Sequence, residues 1–267
     1  MNRLTERAYA KLNLALHVRG LLPDGRRRIE TTYAFCEDGD ELSANPAADF
    51  KLMITGPFAD VLQTKGNLIL QAARALREAA GVKAGAELIL DKRLPVASGV
   101  GGGSADAGAA LRLLARMWEI DPSLANVVAP LLGADVPACL RSQSSRGEGA
   151  GDQLEDLNLD LAGTPVLIVN PRIPLSTATV FAEWDGVDHG PLGDWREGRN
   201  DLEAPAITLV PEIADVLEWL RSQAGADFVR MSGSGATCFA LFDSIAARDA
   251  AASDCPPHWW HLATRLR

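Results

Sequence analysis

The chain is poor in the features that mark several common protein classes. Its four cysteines, Cys36, Cys139, Cys238 and Cys255, are scattered, and none forms a Cys-x-x-Cys pair. That excludes a zinc finger and a disulfide framework, and the small or apolar neighbours of each cysteine point to buried thiols. The histidines, His17, His189, His258 and His261, lack metal-ligand spacing and read as structural or surface residues. No apolar stretch approaches the roughly 18–20 residues of a membrane span. The opening residues, Met1-Asn2-Arg3-Leu4-Thr5-Glu6-Arg7, contain no apolar segment of the signal-peptide kind, so a cytoplasmic protein is expected. Positive charge is also short. Lysine and arginine number 26 against 35 acidic residues, a net charge of −9. That balance disfavours nucleic acid or an anionic membrane as the main partner. There are no repeats and no low-complexity tracts. The 267 residues, 47% apolar and 23% charged, suit a globular protein of one large domain or two modest lobes.

The densest signal lies at residues 95–109, Pro95-Val96-Ala97-Ser98-Gly99-Val100-Gly101-Gly102-Gly103-Ser104-Ala105-Asp106-Ala107-Gly108-Ala109. A strand-like run, Ala86–Leu90, enters it and an apolar helical pattern leaves it. Four glycines in five positions let backbone amides crowd an anion without Cβ clashes. The helix that follows adds free N-terminal amides and the positive end of its dipole. The loop therefore reads as a phosphate cradle. It is not a P-loop, because no Lys follows the glycines. It is not a dinucleotide fingerprint, because it sits mid-domain rather than in an opening βαβ unit. A plain flexible turn is the competing reading.

Hydrophobic periodicity and turn chemistry place the remaining elements. Residues 8–18 alternate as a strand, and Pro23-Asp24-Gly25 is a turn. Asn67 caps a helix running to about Ala80, with Gly81 as its stop. Strand 86–91 feeds the glycine loop, and Ala105, Ala109, Leu113 and Met117 keep helical spacing after it. A further helix is expected across Asn126–Leu132. Residues 141–153, polar and glycine-rich, read as a loop between lobes. A buried strand is expected at Pro165–Val169, and a helix at Glu212–Gln223 with Pro211 in its first turn. Strands Asp227–Met231 and Cys238–Phe242 flank a Ser-Gly-Ser-Gly turn. Helix Ile245–Ala252 and a strand near Trp259–Leu262 close the chain. The mixture, without a strict βαβ rhythm, indicates an α+β fold in two lobes, 1–150 and 151–267.

Three segments in order then resemble one family. Ala8-Tyr9-Ala10-Lys11-Leu12-Asn13-Leu14, the glycine loop, and Arg230-Met231-Ser232-Gly233-Ser234-Gly235-Ala236-Thr237-Cys238-Phe239 match the three motifs of the small-molecule kinases that act on galactose, homoserine, mevalonate and phosphomevalonate. Further segments narrow the likeness to a branch whose substrate is a cytidyl diphosphate. They are Leu22-Pro23-Asp24-Gly25, Gly66-Asn67-Leu68-Ile69, Gly133-Ala134-Asp135-Val136-Pro137, Arg146-Gly147-Glu148-Gly149, Ser176–Phe181 and Arg199-Asn200-Asp201-Leu202-Glu203. The resemblance covers essentially the whole chain. It implies a two-lobed fold with the active site in the cleft, ATP as phosphoryl donor, Mg2+ accompanying the ATP, and a small-molecule alcohol as acceptor. It leaves the metal ligands and the oligomeric state unknown.

Phosphoryl transfer needs a phosphate cradle, a cation near the moving group and a carboxylate to receive the hydroxyl proton. The resemblance gives the cradle to Pro95–Ala105 and the cation and base to Lys11 and Asp135. By their own pattern, Lys11 is equally an outward-facing strand residue and Asp135 equally a helix cap or turn. Asn13 shares a strand face with Lys11. Ser104 is expected to cap the phosphate helix and to reach a phosphate or the metal, and Asp106 to have a structural role. The resemblance places Asn67, Leu68 and Lys92 around the adenine. Asn13, Thr177, Phe181, Ser234 and Gly235 fall on the substrate side, Phe181 stacking on the base. Alternatives are a helix cap for Asn67, a solvated Lys92, a core Phe181 and a plain hairpin turn at Ser232–Gly235.

One departure stands out. The family continues Asp-Gly-Tyr-His where this chain has Asp24-Gly25-Arg26-Arg27-Arg28. A guanidinium stacks on a base and donates to a carbonyl, but accepts nothing from an amino group. Arg26 is therefore expected to stack opposite Phe181, and Arg27 to meet the base carbonyl or the diphosphate. A solvated turn is the bland alternative. A drifted acceptor, or a nucleotide-binding sensor without catalysis, are the rival functions. Retention of Lys11 and Asp135 argues against the sensor.

Overall fold

The computed structural model describes residues 3–64 and 66–267; Met1 and Asn2, part of the opening stretch read above, and Lys65 lie outside the described residues. The chain folds into two compact units that interleave along the sequence. One takes the chain as far as Ala10, then Asp38–Val96 and Gly101–Ser142. The other takes Lys11–Glu37, Ala97–Val100 and Gln143–Arg267. Two long strands, β1 (Leu4–Leu21) and β2 (Arg27–Ala47), pair with each other, and each contributes residues to both units.

In the first unit the later part of β2 pairs antiparallel with β4 (Gly85–Asp91), and β3 (Lys51–Thr55) runs parallel to β4. Between these strands the chain forms α1 (Leu68–Ala80), then β4 (Gly85–Asp91). Asn67 Oδ1 accepts from Ile69 N at 2.9 Å and Gly81 ends α1 at φ 64°, so both expected helix signals operate. Next come α2 (Gly102–Met117), α3 (Ser123–Leu132) and α4 (Val136–Arg141). α2 lies at the centre, packed against α1, α3 and α4. Its apolar residues Leu111, Leu113 and Leu114 are buried, as are Ile69 and Leu76 of α1.

The second unit begins with the β1–β2 turn, where Leu22 N bonds Arg26 O at 2.8 Å. Strands β5 (Ser145–Glu148) and β6 (Gln153–Asp156) form a hairpin whose first strand pairs with β2 at Thr31–Tyr33. This corrects the loop expected over 141–153. The hairpin has no apolar period of its own and is made by pairing: a Cβ on Gly147 would sit 2.7 Å from the Tyr33 ring. β2 itself escapes periodicity because Ile29–Cys36 are buried without alternation.

The remaining elements are β7 (Pro165–Asn170), α5 (Thr177–Ala182), α6 (Glu203–Leu209), α7 (Glu212–Ser222), β8 (Ala226–Met231), β9 (Cys238–Phe242), α8 (Ile245–Asp254) and β10 (Trp260–Arg265). They build an antiparallel sheet in the order β10-β7-β9-β8. Helices α7 and α8 pack on it, and Val216, Leu217 and Leu220 of α7 meet Leu167, Val169 and Ala240 in a shared core. The architecture is α+β, as expected. Among the described residues no helix is long and apolar enough to cross a membrane.

The α2–α4 contact is close enough to require glycine. A Cβ on Gly108 would lie 2.8 Å from the Cys139 carbonyl carbon and 2.9 Å from Leu140 N, both backbone atoms. Gly108→Ala is expected to destabilise the fold by about 1–3 kcal/mol through overpacking, although alanine is worth up to about 1 kcal/mol more than glycine inside a helix. Urea unfolding of the two proteins checks this; equal or greater stability in the alanine variant would show that α4 moves aside freely.

Candidate active site

The glycine loop turns on left-handed residues: Ala97 at φ 52°, Gly99 at 81° and Gly101 at 68°. Within the second unit its residues 97–100 are held by backbone and hydroxyl contacts. Thr237 N donates to Ser98 O at 3.1 Å, Ser232 Oγ to Gly99 O at 2.9 Å and Lys11 N to Val100 O at 3.0 Å. A Cβ on Gly99 would lie 2.4 Å from Ser232 O, so glycine is required there by space as well as by φ.

Helix α2 opens with Gly101 as its N-cap and no side-chain cap. Ser104, expected to cap it, is instead its third residue. The first-turn amides therefore have no side-chain acceptor from the cap position, and they carry the positive end of a 16-residue helix. Gly103 is exposed, and Leu68 Cδ1 lies 3.6 Å from the Cβ it would carry. The start of α2 thus combines backbone amides that no side chain caps with an apolar side chain beside them.

Lys92 is not solvated. It is 1% exposed, and its ammonium donates to Asp40 Oδ2 at 2.5 Å and Asp106 Oδ2 at 2.8 Å. Asp40 Oδ1 also accepts from Arg93 N and Leu94 N, at 2.6 and 2.8 Å. The triad thus ties the end of β4 to the second turn of α2. Burial alone would lower the Lys92 pKa; the two carboxylates outweigh it and hold the pKa above its usual value. Burial, with the Asp40 charge, pushes the Asp106 carboxyl up to about 7 against the pull of Lys92.

Lys11 and Asn13 lie on β1. Lys11 is 3% exposed, donates to Asn13 Oδ1 at 3.0 Å and stands 4.9 Å from the centre of the Tyr33 ring. Asn13 Nδ2 donates to Thr31 Oγ1 at 2.8 Å, and Thr31 passes the chain to Ala15 O. In the first unit, Asp135 is half-buried at the N-cap of α4 and makes no side-chain cap bond. The far end of α4 is held by Arg112, whose Nη1 donates to Cys139 O and Leu140 O at 2.7 and 2.9 Å.

The third glycine turn is equally fixed. Ser234 Oγ meets Thr177 Oγ1 at 2.8 Å, and Gly235 takes φ 84°. Ser232 Oγ also accepts from Asn13 N at 3.1 Å. Among residues that sequence reasoning left without a role, Arg230 donates to Leu14 O, Trp195 O and Gly198 O, and burial lowers its pKa to about 10. Trp184 is another. It packs 5.2 Å from the Arg27 guanidinium.

Arg27, rather than Arg26, lies on Phe181: its guanidinium is 5.8 Å from the ring centre and donates to Phe181 O at 3.2 Å. Arg26 is exposed and held by Asp24 and Asp152 at 2.7 and 3.0 Å. Arg26 still belongs to the turn, where its amide also donates to Asp24 Oδ1 at 3.0 Å, whereas Arg27 opens β2. A cavity of about 610 Å3 in the same unit is lined by Trp184, Asp185, His189, Arg199, Asn200 and Asp201, among others. None of Lys11, Asn13, Ser232 or Gly235 lines it.

These features define a small-molecule kinase of the GHMP class. The model of the GHMP kinases N terminal domain matches residues 67–143, and that of the GHMP kinases C terminal region matches 187–256. A homoserine kinase from Cytophaga hutchinsonii shares the fold, with TM-score 0.73 at 16% identity over 100% of this chain and 95% of its own. Nearer relatives are more specific. The 4-diphosphocytidyl-2-C-methyl-D-erythritol kinase of Rhizorhabdus wittichii is 53% identical over 98% of this chain and 94% of its own length. That of Novosphingobium aromaticivorans is 51% identical over 99% and 93%. A crystal structure of a 4-(cytidine 5'-diphospho)-2C-methyl-D-erythritol kinase superposes with TM-score 0.84 at 31% identity, over 98% of this chain and 99% of that one. The chain belongs to the 4-diphosphocytidyl-2-C-methyl-D-erythritol kinase family.

The buried triad makes stability depend on pH. Asp106 holds its proton more tightly folded than unfolded, so its contribution is most favourable in acid and is lost as pH rises from about 4 to about 7. Asp106→Asn should flatten that fall: thermal melts between pH 5 and 8 are expected to show a smaller loss in the variant than in the parent. An identical slope in both would remove Asp106 as the titrating group.

Proposed function

We propose that the chain catalyses ATP-dependent phosphorylation of the 2-hydroxyl of 4-diphosphocytidyl-2-C-methyl-D-erythritol, in the non-mevalonate route to isoprenoids. The observation that carries the reading is the glycine-built start of α2, whose first amides have no side-chain cap. Residues 95–105 would hold the triphosphate through backbone amides. Asn67 and Leu68 would flank the adenine. Lys92 would act from below by fixing the start of α2, since its ammonium is engaged by Asp40 and Asp106.

In the reaction, Asp135 takes the proton of the 2-hydroxyl while that oxygen bonds the γ-phosphorus and ADP departs. Lys11 supplies positive charge, steadied by the neutral Asn13 oxygen and the Tyr33 ring. Thr177, Ser234 and Gly235 form the substrate-side wall. Among the described residues no cluster of three or more His, Cys, Asp or Glu side chains suits a metal. Mg2+ would enter with the nucleotide phosphates, which suits a hard cation that keeps much of its water.

Rapid-quench single turnover with ATP and the cytidyl substrate tests the reading. Asp135→Asn keeps the shape but accepts no proton, and should slow transfer by about 10²–10⁴-fold with ATP affinity nearly unchanged. A near-parental rate would take Asp135 out of the mechanism; no transfer by the parent would favour the sensor.

The arginine turn bears on the acceptor. Arg27 on Phe181 and Trp184 is the cation suited to meet the base, while the carboxylate-bound Arg26 is not. Arg27→Ala should raise the KM for the cytidyl substrate by about 2–30-fold, the equivalent of a stacked guanidinium, and leave that for ATP alone. Arg26→Ala should change neither. If both variants keep the parental KM values, the drifted-acceptor reading gains.

A further inference from the structure

We propose that Asn200 is a positioning residue for phosphoryl transfer, holding the third glycine turn, and through Ser232 the phosphate loop, in working register. The inference rests on the kinase reading above. Asn200 is 8% exposed, and both hydrogens of its carboxamide are used: Nδ2 donates to Met231 O and to Gly233 O, each at 2.8 Å. Its Oδ1 accepts from Leu202 N at 3.0 Å. Only a neutral group with two donors and an acceptor meets these three demands, because a flipped amide would press its oxygen on two carbonyls.

The two carbonyls bracket Ser232, whose hydroxyl spans Gly99 O and Asn13 N. A Cβ on Gly233 would lie 3.1 Å from Gly99 O and 3.3 Å from Asn13 Oδ1, so the turn has little slack there. Asn13 in turn accepts from Lys11 Nζ.

Asn200 is itself anchored to β1, the strand that carries Lys11. Leu16 N donates to Arg199 O and Asp201 N to Leu16 O, each at 2.9 Å. Val18 N donates to Asp201 Oδ2 at 2.7 Å, and Arg199 N to His17 Nε2 at 3.2 Å. With Nδ1 of His17 on Gly190 O at 3.0 Å, that ring is a donor at one nitrogen and an acceptor at the other, the neutral tautomer. The segment thus ties the turn to β1. A shift of the turn would move Ser232, Gly99 and Asn13 together, and small misplacements of this kind are costly in rate.

Steady-state kinetics of Asn200→Asp and Asn200→Ser across about pH 5.5 to 8.5, with thermal melts to establish folding at the assay temperature, test the proposal. An aspartate donates nothing when ionised and one hydrogen bond when protonated; serine keeps one donor throughout. At about pH 8, folded Asn200→Asp is expected to lose about 10–100-fold in kcat with the cytidyl KM little changed. Relative to the parent it should regain rate as pH falls, whereas Asn200→Ser should be impaired less and show the parental pH profile. If Asn200→Asp is unfolded at the higher pH, the serine variant decides, and a parental kcat in it overturns the proposal. So does a folded Asn200→Asp with parental kcat or with a parental pH profile. A parent that transfers no phosphoryl group defeats the kinase reading and, with it, the inference; an active parent with unaffected variants defeats the inference alone.

Discussion

One hydroxyl group joins the three motifs on which the site depends. Ser232 Oγ belongs to the third glycine turn, donates to Gly99 O of the phosphate loop and accepts from Asn13 N on the strand of Lys11. Ser232 is fully buried, and a buried hydroxyl that lost either partner would strand a backbone group without water to replace it. The constraint explains why the surrounding positions are glycine. A side chain on Gly99 would run into the backbone of Ser232 and Gly235, and one on Gly233 would crowd Gly99 O. Loop geometry in this unit is therefore set by tertiary hydrogen bonds rather than by local turn preference.

The first unit faces a different constraint, a helix start that no side chain caps. The glycines at the head of α2 leave its amides uncapped, which by itself leaves the helix end weakly held. The Asp40–Lys92–Asp106 triad supplies the missing anchorage one turn further in. Two carboxylates facing one ammonium leave a net negative charge in the core, and Asp106 answers by binding its proton more tightly. A buried ion group of this type is weak evidence for added stability and better evidence for a fixed geometry.

Much of this was legible in the sequence because it rests on local chemistry. The helix bounded by Asn67 and Gly81 needed only its caps, and the glycine loop needed only its spacing. What sequence could not show arises from distant partners. β2 and the β5–β6 hairpin exist by pairing, and their residues carry no alternation of their own. Lys92 reads as a solvated or nucleotide-facing lysine until Asp40, 52 residues away, is brought to it. Arg26 and Arg27 differ by one position, yet Asp24 and Asp152 hold the first while the second lies on Phe181. Asn200 was visible as part of a motif, but its task appears only when Met231 and Gly233 turn their carbonyls toward it.

The central claim is that these loops and side chains serve transfer of a phosphoryl group to one hydroxyl of a cytidyl diphosphate. Phosphorus NMR of the unmodified protein with ATP and 4-diphosphocytidyl-2-C-methyl-D-erythritol tests it most directly. The account predicts a new phosphomonoester on the 2-oxygen, formed one for one with ADP while the cytidyl diphosphate stays intact. ADP with inorganic phosphate alone, or a phosphate on another oxygen, would contradict it.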